Sequence, residues 1–412
     1  MLKYRRESLV AASSSEVFEW HARAGALERL TPPWSPVRVI ARSGRSLQAG
    51  TRVILRVPIG PFGMRWVAEH GPCVPGRSFS DRQIAGPFAA WEHEHRFEPL
   101  AAGESTLVDE VRYALPGGWC SIPARPLARR ELDRLFTYRQ RVTAVDMGWH
   151  RRYGYGGRPM KVAVTGATGL IGSALVPFLR SGGHEAAALR RASASRDAAG
   201  GVPSWDPDTG ALSAGALDGV DAVVHLAGEN IAGGRWTAAR KARIRDSRVD
   251  GTRRLAEALS ALPRPPRTLV AASAVGFYGD RGDEELDESS ALGDGFLPDV
   301  CQAWEDAAAP ASEAGLRVVH LRIGIVLTPA GGALGQMLFP FRMGVGGVIG
   351  SGRQYMSWVA LDDVLGGILH ALCTDGLSGP VNMVAPNPVS NAEFTKTLGR
   401  VLRRPTILPL PA

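Results

Sequence analysis

Along the first 150 residues, apolar positions recur mostly at a spacing of two. The runs TRVILRVPI (51–59) and RWVAEH (65–70) are rich in β-branched and aromatic residues and are bounded by Gly and Pro, which predicts short strands. In AAWEHEHRFEP (89–99), Trp91, His93, His95 and Phe97 alternate with Glu92, Glu94 and Arg96, so both histidines fall on the aromatic face of one strand. Two stretches carry a helical period instead. SSSEVFEWHARAGALERL predicts an early helix with Ser15 and its neighbours as caps, and residues 126–149 place Leu127, Leu135, Val142, Val145 and Trp149 along a long one. A short helix, a curved antiparallel sheet and a closing helix predict an α+β sheet wrapped around a helix, with room for an apolar cavity.

The pattern changes after RRYGYGGRPM (151–160), whose glycine, arginine and terminal proline read as a linker over 151–159. Beyond it, buried-strand runs such as KVAVT, DAVVH, RTLVAAS and LRVVHLRIGIVL alternate with amphipathic segments. That alternation predicts an α/β, doubly wound parallel sheet over 160–412, following a separate domain over 1–150.

A chain of 412 residues is long enough for these two cores. With 45% hydrophobic and 21% charged residues it has a globular composition, and no apolar run approaches the roughly 18 residues a membrane span needs. The N-terminus MLKYRRESLV lacks the apolar centre of a secretory signal, so a cytoplasmic location is expected. Cys73, Cys120, Cys301 and Cys373 form no CxxC pair and suggest neither a disulfide framework nor a zinc ribbon. Of the net charge of +8, residues 1–158 carry the whole excess, with 24 Lys and Arg against 15 Asp and Glu. These arginines are scattered, not blocked, which argues against a nucleic-acid partner. His93 and His95 stand at i and i+2, but no third ligand lies at a telling spacing, so core or cavity-lining roles are preferred and no metal site is expected.

The stretch KVAVTGATGLIGSALVPFLRSGGHEAAALRR (161–191) runs from a strand through Gly166, Gly169 and Gly172 into an apolar-periodic helix and on to a second strand. Glycine at such a turn lets backbone approach a pyrophosphate, and the new helix offers free N–H groups and the positive end of its dipole. Arg190 and Arg191 close the second strand, where an acidic residue would instead take the ribose hydroxyls of NAD. Guanidinium groups there suit a 2′-phosphate and favour NADP(H), the alternative being ordinary solvent-facing arginines. The expected cofactor-binding set is Gly166, Thr168, Gly169, Leu170, Ile171, Gly172, Arg190 and Arg191, with Leu226, Ala227, Gly228 and Ala271 at the ends of later strands.

The residues VFEWHARAGALERLTPPW, GPFAAWEHEHRFEP and the closing helix resemble the START-like, or polyketide-cyclase-like, superfamily of helix-grip domains. The resemblance covers residues 1–150 and implies a cavity for a hydrophobic small molecule. In turn TGATGLIG, LAGEN and SAVGFYG resemble the extended short-chain dehydrogenase/reductase superfamily. Together with GGRWT, DSRVDGT, WEDAA, GSGRQYMSW and DDV they look like its atypical, sugar-nucleotide epimerase-like branch, the NAD-dependent epimerase/dehydratase family. This implies a Rossmann sheet with a small substrate subdomain, and an NADP(H)-dependent oxidoreductase or epimerase acting on a small molecule.

Members of that superfamily usually carry a Tyr-x-x-x-Lys pair, and none of the seven tyrosines here has a lysine four positions on. Where the pair is expected stand Cys301 and Glu305. The lysine normally lowers the phenol pKa for proton transfer, so protonation must come from elsewhere. The expected catalytic set is Ser273, hydrogen-bonding the substrate oxygen, Tyr278, moving the proton, and Lys241 (or Arg248) supplying positive charge. Loss of the pair also leaves open a noncatalytic NADP(H)-binding sensor or carrier.

The glycine-rich stretch from Gly331 to Gly352 suits a substrate-covering segment, with Arg342, Gln354 and Trp358 as candidate substrate contacts. LDDVLGGILHAL predicts a helix capped by Asp362 or Asp363, and NAEFTKTLGRVLRRP another. Relatives of this type usually continue with a further helical segment, so an incomplete C-terminal end is expected.

Overall fold

The computed structural model describes residues 1–35, 37–44, 47–59, 62–154, 158–192, 203–213, 215–231 and 234–410. The chain divides into two compact units, residues 1–159 with 177–184, and residues 160–176 with 185–412. Of the expected linker, residues 155–157 lie outside the described residues, and residues 151 and 152 belong to the helix before it.

In the first unit β1 (Leu2–Val10) leads into α1 (Ser14–Ala22) and the single turn α2 (Ala26–Arg29). The strands β2 (Arg38–Arg42), β3 (Arg52–Ile59), β4 (Phe62–Val74), β5 (Ser78–Ala85), β6 (Ala90–Pro99) and β7 (Ser105–Ala114) follow, then the 28-residue α3 (Arg125–Arg152). The sheet is antiparallel throughout, in the order β1-β7-β6-β5-β4-β3-β2. The cap of α1 is Ser13, the first of the three serines around Ser15. Its hydroxyl receives the Glu16 N–H while the Glu16 carboxylate accepts from the Ser13 N–H, a reciprocal pair worth about 1 kcal/mol. On the inner face of the sheet Trp20, Phe97 and Phe136 are fully buried. Burying each such aromatic contributes on the order of 2–3 kcal/mol.

The second unit holds a six-stranded, all-parallel sheet. In chain order its elements are β8 (Lys161–Thr165), α4 (Gly172–Ser181) and β9 (Glu185–Ala188), then the two-residue β10 (Arg190–Arg191) and β11 (Ser204–Trp205), β12 (Ala222–His225), α5 (Ala238–Ser260) and β13 (Thr268–Ala274). Next come α6 (Phe296–Asp306), α7 (Ala309–Glu313), β14 (Arg317–Ile323), β15 (Ile325–Leu327), α8 (Gly332–Arg342), β16 (Tyr355–Met356), β17 (Trp358–Ala360), α9 (Leu361–Cys373), β18 (Gly379–Met383), β19 (Val389–Ser390) and α10 (Asn391–Leu402). The main sheet runs β18-β14-β13-β12-β8-β9. Its central strands are buried almost without interruption, as a sheet covered on both faces requires. The chain moves outward from β8 to β9 and returns to the other side of β8 at β12, which places the topological switch point between β8 and β12.

One local expectation gains a helix and another is corrected. The stretch expected as a glycine-rich cover forms α8 over its first half, because Ala333, Leu334, Gln336, Met337 and Leu338 favour a helix. Helix α9 is capped by no side chain: Ala360 holds the cap position, and Asp362 and Asp363 sit in the first turn, where they favour the helix dipole.

Candidate functional site

At the switch point β8 ends in Gly166, which has φ +64°, and a Cβ there would lie 2.6 Å from the Leu226 carbonyl oxygen. Only glycine lets the turn pass this close to the backbone leaving β12. A Cβ on Gly172 would collide with the Gly166 carbonyl, so the first residue of α4 must also be bare. Gly169 differs, since a Cβ there would meet only the Gly166 oxygen, at 3.2 Å, and would otherwise project into open space. Thr168, Leu170 and Ile171 complete this turn ahead of α4, whose Ser173, Ala174 and Leu175 N–H groups donate to the Gly169 and Ile171 carbonyls of the turn.

Around the turn, Leu226, Ala227 and Gly228 leave β12, and Ala271 stands beside His225 in register on β13. A Cβ on Gly228 would come within 3.4 Å of the Arg248 guanidinium, which donates to the Ile244 and Glu229 carbonyls. Arg190 and Arg191 are exposed on β10, Arg191 standing 3.9 Å from Asp208. An open glycine cradle at a helix start fits a dinucleotide pyrophosphate.

Beneath the turn runs a buried polar chain. His225 shares hydrogen bonds with Thr165 Oγ1 (2.7 Å) and Thr252 Oγ1 (3.1 Å), and Trp304 Nε1 donates to the same Thr252 oxygen (2.9 Å). Burial pushes the His225 pKa down to about 4, so it is neutral at pH 7 and ties β8, β12, α5 and α6 without charge.

A second polar row crosses the carboxyl ends of three neighbouring strands. Ser273 on β13 is in register with Arg322 on β14, and Arg322 with Asn382 on β18. Arg322 pairs with Glu305 of α6 through Nε–Oε1 (2.9 Å) and Nη2–Oε2 (2.8 Å), both side chains being buried. Ser273 Oγ donates to Glu305 Oε1 (2.6 Å), Arg322 Nη1 donates to the Tyr278 hydroxyl (3.0 Å), and that hydroxyl donates to Asn382 Oδ1 (2.6 Å). Burial works against the Arg322 charge, but Glu305 and Tyr278 outweigh it and raise its pKa.

Glu305, which stands in place of the expected lysine, is therefore the anion of a buried network that includes both expected hydroxyls. Cys301, one turn earlier on α6, packs with Phe277 and Tyr278. Burial, with Glu305 nearby, pushes its thiol up to about 11, far from a reactive thiolate. The cation bonded to Tyr278 is Arg322. Lys241 Nζ instead lies 5.1 Å over the Phe296 ring.

The three candidate substrate contacts are not gathered with this network by any bond. Arg342 is exposed on the last turn of α8, and its carbonyl accepts from Arg404 Nε. Gln354 Nε2 donates to the Ile349 carbonyl and Trp358 Nε1 to that of Asn387.

The first unit holds a pocket of about 520 Å³ lined by Leu2, Tyr113, Leu115, Ile122 and Arg125 among others. It also holds a buried polar cluster that spacing alone missed. The hairpin register sets Asp81 opposite His93 and Asp109 opposite His95, all four on the inner face. Asp81 is thus the third candidate ligand that the sequence did not offer. His93 Nε2 donates to Asp109 Oδ1 (3.2 Å), and Gln140 Nε2 to Asp109 Oδ2 (3.4 Å). Burial disfavours a charged His93, but its bonds to Asp109 and Asp81 prevail and raise its pKa.

A parallel sheet with a glycine turn at its switch point defines a dinucleotide-binding protein of Rossmann type. Residues 162–383 match the NAD dependent epimerase/dehydratase family, and the chain belongs to it. Residues 10–136 match the polyketide cyclase/dehydrase and lipid transport family. An epimerase family protein of Mycobacterium bovis is 46% identical over 252 residues, which are 61% of this chain and 82% of that protein. A nucleoside-diphosphate sugar epimerase structure from Corynebacterium glutamicum is 36% identical with a TM-score of 0.80, covering 99% of this chain and 85% of that one. The human epimerase family protein SDR39U1 (isoform 2), solved with NADPH, is 38% identical with a TM-score of 0.56, covering 61% and 83%. The protein is thus an NAD(P)-dependent epimerase-like protein joined to a START-like domain. Among the described residues no helix is long and apolar enough to cross a membrane.

Proposed function

We propose that the chain is an NADP(H)-dependent oxidoreductase or epimerase acting on a small molecule, with a first domain that takes a hydrophobic ligand. The observation that carries the reading is the open cradle at Gly169, the one glycine of the turn that needs no left-handed bend and whose missing side chain would touch a single protein atom, the Gly166 oxygen at 3.2 Å. The turn from Gly166 to Gly172 would hold the pyrophosphate, with Leu226, Ala227, Gly228 and Ala271 along the adjoining strand ends. Arg190 and Arg191 would hold the 2′-phosphate, and the human relative's NADPH supports that choice. Bound there, the coenzyme would supply or accept a hydride.

The chain's own task is then to move a proton and orient an oxygen. Tyr278 is the proton carrier in this reading, and Arg322, donating to its oxygen, takes the part an ammonium group usually has. Ser273 keeps a lone pair for the substrate while its proton is held by Glu305. Lys241, Arg342, Gln354 and Trp358 remain assigned to the substrate side. The pocket beside Tyr113 is within the size range of small-ligand sites but its lining is largely polar, so the hydrophobic ligand of the first domain rests on the family match over residues 10–136. The proposed setting is the cytoplasm, on the globular composition of the chain.

A second reading has its own support: Ser273 and Tyr278 are each 3% exposed and their hydroxyl protons are already engaged. That favours a noncatalytic NADP(H)-binding sensor or carrier. Incubating the protein with NADPH and apolar ketones, and with NADP⁺ and sugar nucleotides, while following nicotinamide absorbance and sugar stereochemistry by NMR, separates the two. Net coenzyme turnover or an epimerised sugar supports the enzyme, and tight coenzyme binding with neither favours the sensor.

A further inference from the structure

We infer that Asp81, His93 and His95 of the first domain form a binding site for one divalent transition-metal ion, of the class that accepts mixed nitrogen and oxygen ligands. One ligand atom from each of these residues lies within 4.8 Å of the other two, which is the spacing of a set closed around a single ion. The Asp81 Oδ2 atom stands 3.4 Å from His93 Nδ1 and 3.9 Å from His95 Nε2. Ligands bound at about 2.1 Å in tetrahedral geometry are separated by about 3.4 Å, so a shift of a few tenths of an ångström completes the set.

The cluster is built, not incidental. Cross-strand pairing on the inner face fixes Asp81 beside His93, and the period of two fixes His95 beside both. Asp109 stands on the far side of the two imidazoles, its Oδ1 lying 3.2 Å from His93 Nε2 and 2.9 Å from His95 Nδ1. A carboxylate facing the outer nitrogen of a ligating histidine fixes its tautomer and raises its basicity. Gln140 from α3 in turn holds Asp109.

The contact geometry favours an ion over a plain hydrogen-bonded cluster. The two rings are buried and 3.8 Å apart centre to centre. In this arrangement every ring nitrogen faces a carboxylate oxygen, so a ring nitrogen without a proton there meets a lone pair. For His95 the Asp109 contact makes no aligned hydrogen bond, and 3.9 Å to Asp81 is too long for one. A cation between Asp81 and the two imidazoles removes that lone-pair repulsion, while the remaining N–H groups face Asp109. Around the site stand His70 on β4, His21 on α1 and Arg139 on α3; the Arg139 charge moderates the two carboxylates and limits affinity.

The test uses the full chain, stripped with a chelator and titrated with Co²⁺ while visible absorption is recorded, with Zn²⁺ counted by elemental analysis. One ion per chain is expected. Asp81→Asn and His95→Ala should each weaken binding at least about 100-fold, and Asp109→Asn about 10- to 100-fold. Asp81 is the most exposed of the set, so its variant should keep the wild-type circular dichroism even if His95→Ala does not fold. X-ray absorption of the Zn²⁺-loaded wild-type chain should show two imidazole ligands. Failure to bind stoichiometrically, equal affinity in folded Asp81→Asn, or fewer than two imidazoles at the ion would overturn the inference.

Discussion

Glu305 and Arg322 face one another through two parallel hydrogen bonds, buried between α6 and β14, in a position where related proteins usually carry a lysine. The pair organises the site because Ser273 leans on its carboxylate and Tyr278 on its guanidinium. Removing one partner strands a buried charge. Glu305→Gln is expected to destabilise the second unit by about 3–5 kcal/mol, read as a lowered melting temperature, whereas Glu305→Leu combined with Arg322→Met should recover much of that loss.

Tyr278→Phe deletes the hydroxyl that bridges Arg322 and Asn382. With any substrate the panel identifies, turnover should fall by about 100-fold or more while NADPH affinity stays within twofold. Unchanged turnover would remove the phenol from the chemistry.

Gly169→Ala places a methyl group in the open cradle. Calorimetry should show NADPH binding weakened by at least about tenfold, with a smaller fall in melting temperature than Gly166→Ala causes, because the methyl meets only the Gly166 oxygen. Gly166→Ala should instead destabilise the protein itself, because φ is +64° and the Leu226 carbonyl is in the way.

Replacing Arg190 and Arg191 together with alanine should narrow the preference for NADPH over NADH. A charge-assisted bond contributes about 1.5–3 kcal/mol, so the affinity ratio should fall by about 10- to 100-fold. An unchanged ratio would return both arginines to the solvent.

His225 gives a pH dependence with a defined sign. Its folded pKa, about 4, lies below the unfolded value of about 6.5, so between these values the unfolded chain binds a proton that the folded one refuses. Stability is complete above pH 6.5 and falls as pH drops toward 4, by up to about 3 kcal/mol from this residue. Thermal melts from pH 7 to 4.5 should show a shallower decline for His225→Asn than for the wild type.

What the sequence made legible was local. The glycine turn, the strand–helix alternation and the inner-face placement of His93 and His95 each follow from neighbours a few positions apart. What it hid was pairing over distance. Ser273 stands beside Arg322 because β14 lies beside β13 in one register, and Asp81 meets His93 because a hairpin aligns β5 with β6. Neither register is written in spacing along a single segment. Within Gly331–Gly352 the apolar run forms α8, with Gly335 inside it, while most of the glycines follow the helix.

The packing of Cys301 behind Phe277 and Tyr278 has an experimental use. A thiol kept protonated and out of reach will resist alkylating reagents for as long as α6 stays docked. Its rate of labelling, followed by peptide mass mapping against the exposed Cys120, becomes a clock for the opening of the wall behind Tyr278.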